Sequence, residues 1–264
     1  MPHRLGQVFL KDKNILRKIV QAVPLSSDDV LVEIGCGHGD LTVQLAPFCQ
    51  RLVVFELDGS CIEQTKRRCA QFSHIEFVHQ DILTVALTDW ITTPCRLVAN
   101  IPYYISAKIL KWMIQYRSLL RSAHLMVQKE FAQKVTALPQ SSLYTSLTVY
   151  LSYYFAAKKC FDVSRNCFRP IPKVDSSVIA LLPNTKSPDL EDSTLFFDFV
   201  RSCFSTRRKK IKNGLLKSPY LNLNSGFLSQ KEGERYYELR PETLSLDQFL
   251  FLFNIVKPFL EPQD

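Results

Sequence analysis

Three alternating glycines, Gly35, Gly37 and Gly39, follow directly on the aliphatic, β-branched run Val30–Ile34. A buried strand that turns through glycines into a helix carrying Leu41, Leu45 and Ala46 can cradle a nucleotide. Glycine serves there because the turn uses backbone angles closed to other residues and because a side chain would hold the backbone away from a ligand. The same turn can also simply reverse a chain. A second strand-like run, Arg51–Glu56, ends where dinucleotide-type folds place the carboxylate that grips ribose hydroxyls, about 20 residues past the glycines. Glu56 is read as that ligand and Asp58 as the N-cap of the next helix. Asp81, beyond a third run at Ile75–His79, has two readings: a turn residue, or an acceptor for an adenine amino group. The run 96–99 leads into Asn100-Ile101-Pro102-Tyr103, which presents an amide, free carbonyls and an aromatic ring on a loop stiffened by proline. Together these residues suit methyl transfer to an amino group conjugated with an aromatic ring. The Asn100 amide and the Ile101 carbonyl would accept its two N–H bonds and offer the nitrogen lone pair to a sulfonium methyl. Tyr103 would stack on the base and Phe168 would close its other face, so the base must be unpaired or flipped out.

The elements needed to hold these residues alternate along the first part of the chain. Helices are expected over 61–72 and 107–116, a fifth strand over 125–128 and a helix from Lys129, which gives an α/β, Rossmann-like domain with a largely parallel sheet and helices on both faces. Upstream, Gly6-Gln7-Val8-Phe9-Leu10 and a short helix through Ile15, Ile19 and Val23 are read either as an arm packed on the domain or as a lid, with Gln7 and Leu10 closing over a cofactor. From Tyr150 to Leu182 further strands are expected, interrupted by an extended loop around Pro170 and Pro172. A linker at 183–189 then divides a domain over 1–185 from a small all-helical domain over 186–264. In the second, Phe196, Val200, Cys203, Phe204 and Ile211 share a helical stripe, and Arg207, Arg208, Lys209, Lys210 and Lys212 are placed at the end of its first helix, capped by Asn213-Gly214. Five cations in six positions exceed what a helix dipole requires, so they are read as holding phosphate backbone.

Composition agrees with an anionic partner. The 264 residues carry a formal net charge of +8, from 33 Lys and Arg against 25 Asp and Glu, and 46% hydrophobic residues suffice for a proper core. Eight cysteines and five histidines show no metal-ligand spacing and no Cys-x-x-Cys pair, so reduced thiols, no metal and a cytoplasmic protein are expected. No apolar run approaches the length of a membrane span.

With those residues in view, the chain resembles the ribosomal RNA adenine N6-dimethyltransferases. The resemblance runs through Gly6-Gln7-Val8-Phe9-Leu10, Glu33-Ile34-Gly35-Cys36-Gly37-His38-Gly39, Phe55-Glu56-Leu57-Asp58, Gln80-Asp81, Asn100-Ile101-Pro102-Tyr103, Val127-Gln128-Lys129-Glu130, the Pro172–Val178 stretch and Arg207-Arg208-Lys209. It implies S-adenosyl-L-methionine as cofactor, contacted at Val8, Leu10, Gly35, Glu56, Asp81 and Asn100, with Asn100 and Tyr103 also serving the target base. It further implies a monomer that dimethylates two adjacent adenosines in the hairpin near the 3′ end of 16S rRNA, in the immature small ribosomal subunit. Val8 departs from the family's usual Asn or His, which leaves only a backbone contact there. Cys36 and His38 fall at variable positions and receive no role. The rivals are the branch that modifies a large-subunit adenosine, against which Leu239-Arg240-Pro241-Glu242-Thr243-Leu244-Ser245 speaks, and a non-catalytic RNA-binding assembly protein, against which the Asn-Ile-Pro-Tyr loop speaks.

Overall fold

The computed structural model describes residues 8–101, 105–185, 190, 193–206 and 208–260. Strand β1 (Phe9–Leu10) leads to helix α1 (Lys13–Ala22), whose first turn is capped by the Asp12 carboxylate accepting from the Asn14 and Ile15 amides at 2.8 and 3.2 Å. Strand β2 (Val30–Ile34), short helix α2 (Thr42–Leu45), β3 (Arg51–Glu56), α3 (Gly59–Arg68), β4 (Ile75–His79), β5 (Cys95–Asn100), α4 (Ser106–Gln115), β6 (Leu120–Gln128) and α5 (Lys129–Val135) follow. Asp58 caps α3 as expected, accepting from the Ser60 amide at 2.9 Å. The chain continues through α6 (Ser146–Tyr154), β7 (Phe155–Val163), β8 (Phe168–Arg169) and β9 (Ser176–Pro183), then α7 (Ser193–Ser205), α8 (Ile211–Leu216), α9 (Lys231–Tyr237) and α10 (Leu246–Val256).

Seven strands form one sheet in the order β4-β3-β2-β5-β6-β9-β7, and β1 pairs antiparallel with β8 in a second, two-stranded sheet. The pairs from β4 to β6 are parallel, while β9 runs antiparallel to β6. The central strands β2 and β3 are dominated by apolar residues because both of their faces are covered. Leu31, Leu52, Val53 and Val54 are fully buried.

The chain divides into two compact units, Met1–Ala132 with Ala157–Pro183, and Gln133–Ala156 with Asn184–Asp264. This differs from a single cut at residue 185, because Gln133–Ala156 groups with the C-terminal helices. The reason is packing: Tyr144, Val149 and Tyr153 are buried in one cluster with Phe196, Phe199, Phe249 and Phe253. Strands are expected from Tyr150, but 146–154 form helix α6, held by that cluster and by a start in which the Thr145 amide donates to the Thr148 hydroxyl at 3.0 Å.

A second correction concerns the basic run. Helix α7 stops at Ser205, and Asn213-Gly214 lie inside α8 rather than capping α7. Gly214 is required by close approach: a methyl group there would stand 2.4 Å from the carbonyl oxygen of Ser202 on α7. Among the described residues no helix is long and apolar enough to cross a membrane.

Candidate active site

The parallel strands β2, β3 and β5 end at one edge of the sheet, where open α/β sheets bind ligands. As β2 ends, the Gly35 amide donates to the Phe55 carbonyl at 2.8 Å, and Gly35, Gly37 and Gly39 adopt φ of 77°, 51° and 78°. Space as well as conformation demands glycine at two of them. An added methyl would lie 2.9 Å from the Phe9 ring at Gly37 and 2.7 Å from Thr65 at Gly39. The Glu56 carboxylate, buried at the end of β3, ties the loop to its own strand end. One oxygen accepts from the Gly37 amide at 3.0 Å and the other from the Leu57 and Asp58 amides at 2.8 and 3.0 Å. Thr65 on α3 donates to the Gly37 carbonyl at 3.1 Å, so the loop is held from both sides.

A cavity of about 310 Å³ opens beside this loop. Of the sequence-predicted residues, Val8, Leu10, Gly35, Glu56, Asn100 and Phe168 line it. Asp81 does not line it; its carboxylate accepts from the Leu83 amide at 3.0 Å and caps the turn that follows β4, the plainer of its two readings. Phe168, held by pairing of β8 with β1, is 2% exposed and meets the cavity from within the core. Tyr103, Pro102, Gln7 and Arg207 lie outside the described residues. Arg208 and Lys209 are exposed, whereas Lys210 and Lys212 both pair with Glu238.

Several wall residues carry no local signal. His38 stacks on Phe9, with ring centroids 3.9 Å apart and planes at 13°. Lys11 donates to the His38 Nδ1 at 3.1 Å, and a lysine that only donates makes that nitrogen the acceptor. Lys11 and Arg68 converge on Asp40 at 2.9 and 2.8 Å. Burial alone would raise the Asp40 carboxyl, but those two cations hold it below the usual range. The segment before α1 is thus clasped onto the glycine loop, packing that both readings of that arm share. The partner of His38, Lys11, is 27 residues away and only the fold joins them.

Two ionisable groups sit deep near the site. Glu33, in the middle of β2, is 1% exposed and neither of its oxygens finds a donor. Burial, aided by the nearby Glu56 charge, pushes its carboxyl up to about 8. His124, on β6 in the cavity wall, is pushed down to about 4, chiefly by burial.

Comparison with known proteins decides the family. Residues 2–230 match the model of the ribosomal RNA adenine dimethylase family. The chain belongs to that family. Among relatives of this dimethylase, the ribosomal RNA small subunit methyltransferase A of Geobacillus thermodenitrificans is 36% identical over 96% of this chain and 90% of its own. The protein of that name from Chlorobium chlorochromatii is 37% identical over 96% of this chain and 93% of its own. In solved structures, a dimethyladenosine transferase from Plasmodium falciparum superposes with a TM-score of 0.82 at 30% identity, covering 96% of this chain and 99% of that one. The 23S rRNA methyltransferase ErmE gives a TM-score of 0.73 at 26% identity, covering 94% and 99%. The dimethylase fold therefore accounts for both the parallel sheet and the helical C-terminal region.

Proposed function

We propose that this dimethylase transfers methyl groups from S-adenosyl-L-methionine to the N6 amino groups of two adjacent adenosines in the hairpin near the 3′ end of 16S rRNA, acting as a cytoplasmic monomer on the immature small subunit. The observation that carries the reading is one cavity lined both by the Glu56-tied glycine loop and by Asn100 at the end of the neighbouring strand β5. The near full-length relatives named for the small subunit favour that substrate over the large-subunit one.

The residues present fit the cofactor. A carboxylate at a strand end suits ribose hydroxyls, a loop with three positive φ angles brings backbone close to a ligand, and Val8 and Leu10 supply apolar cover. When bound, the cofactor supplies an electrophilic sulfonium methyl. The chain's part is to prepare the nucleophile. The lone pair of adenine N6 is delocalised into the ring, so Asn100 and the Ile101 carbonyl accept its two N–H bonds and draw the nitrogen out of conjugation. No strong base is needed, since the amine becomes acidic as it is methylated. Tyr103 holds the base by stacking.

Single-turnover transfer of labelled methyl groups to immature small subunits, followed by chromatography of mono- and dimethyladenosine, tests this. Asn100→Ala is expected to slow transfer by roughly 10²–10³ with RNA affinity almost unchanged. Tyr103→Phe should retain most activity and Tyr103→Ala little, since stacking is worth about 1–3 kcal/mol per base. Normal turnover by Asn100→Ala would remove the central residue of the mechanism.

A further inference from the structure

The cations that follow α7 do not all face solvent alone. The Lys210 and Lys212 ammonium groups donate to the two oxygens of one carboxylate, Glu238, which lies 28 and 26 residues further on. Arg208 and Lys209 are exposed and make no side-chain bond among the described residues. Glu238 stands at the C-cap of α9, where the helix dipole disfavours an acid. Local helix physics therefore gives no reason for a glutamate there, while the two lysines brought to it by the fold do. The pairs are solvated, with side-chain exposures of 52% and 34% for the lysines and 46% for the glutamate. Such pairs are individually weak, so a phosphate competes with the carboxylate on similar terms.

The geometry points to Glu238 as a built-in competitor for RNA phosphates. It occupies Lys210 and Lys212, leaves Arg208 and Lys209 to contact the backbone, and lowers affinity for RNA of any sequence. This rests on the reading of the run as a phosphate-binding surface. The device suits an enzyme that must leave its product, because it weakens the sequence-independent part of binding and leaves recognition of the target base alone.

The test uses the full-length chain and a synthetic stem-loop RNA of unrelated sequence, titrated between 50 and 200 mM salt. Freeing two cations should steepen the salt dependence of binding in Glu238→Gln by roughly 1.4–1.8, at 0.7–0.9 per phosphate contact. The variant binds more tightly than the parent at 50 mM, and that advantage shrinks by about tenfold at 200 mM. Replacing Lys210 and Lys212 together by Gln changes little in the parent but cancels the gain in the Glu238→Gln background, a coupling that a double-mutant cycle reads directly. If Glu238 merely staples α8 to α9, the Gln variant melts lower and binds RNA no better, and the inference fails. A parent that binds with a clear salt slope, matched by Glu238→Gln, also overturns it while leaving the phosphate-binding reading intact. A parent without salt-dependent RNA binding overturns both.

Discussion

Glu56 does two things at once: it collects three backbone amides and lines the cavity. Glu56→Ala is therefore expected to lose on the order of 1.5–3 kcal/mol of S-adenosylmethionine binding, seen by calorimetry as a roughly 10–100-fold weaker Kd. An unchanged Kd in a folded variant would dismiss it as the ribose anchor. Glu33 and His124 make opposite pH demands. A histidine held near 4 when folded costs stability as pH falls from 6.5 toward 4, because the unfolded chain takes up the proton first. A carboxyl raised to about 8 acts the other way: its contribution is complete below its unfolded value of 4.5 and is lost as pH rises through 8. The two largely offset each other up to pH 6.5, and above it only the glutamate acts. The parent should thus lose stability between pH 6.5 and 8, by at most about 1.4 kcal/mol per pH unit, and Glu33→Gln should flatten that decline. Urea midpoints across that range check it, and equal slopes would show that Glu33 is already ionised. Glu56 was legible because strand end and glycine spacing announce it. The state of Glu33 was not, since its burial depends on what packs above β2.

Most of the elements could be read from periodicity, and β2, β3 and β4 keep their expected bounds. The glycines show where such reading stops. Gly35, Gly37 and Gly39 announce a turn by alternation, whereas Gly214 looks like a helix cap and is in fact the contact point of α8 with α7. A methyl at 2.4 Å from the Ser202 carbonyl has no room to relax, because the obstacle is backbone. Gly214→Ala is expected to destabilise the C-terminal unit by about 1–3 kcal/mol, although alanine favours helix by up to about 1 kcal/mol in an isolated segment. Thermal unfolding followed by aromatic near-UV signal measures the balance, and a stabilised variant would mean that helix propensity outweighs the crowding. The strands expected from Tyr150 begin only at Phe155 for a related reason: aromatic residues favour strands only where a sheet receives them, and here a cluster rich in phenylalanine receives Tyr153.

The unit that contains α6 is built from two stretches of chain separated by β7, β8 and β9. Ending the protein at residue 185 would strip Tyr144, Val149 and Tyr153, now 3%, 0% and 6% exposed, of their partners. Such a fragment is expected to bind apolar dyes and self-associate, in contrast to the full chain, when followed by light scattering. A dye-free, monomeric fragment would mean that Gln133–Ala156 settles without the helices. No local pattern announces this interruption, because composition does not change where the chain crosses from one unit to the other. The same feature governs how the protein is made. When β6 leaves the ribosome, one of its edges has β5, but the strand that covers the other, β9, is encoded only after the whole excursion through α6 and β7. At about 5–20 residues per second the nascent sheet shows that open edge for several seconds. Slowing translation across 129–176 would prolong this exposure, and speeding it would shorten it, so codon choice in a stretch far from the cavity bears on how much protein reaches the folded state.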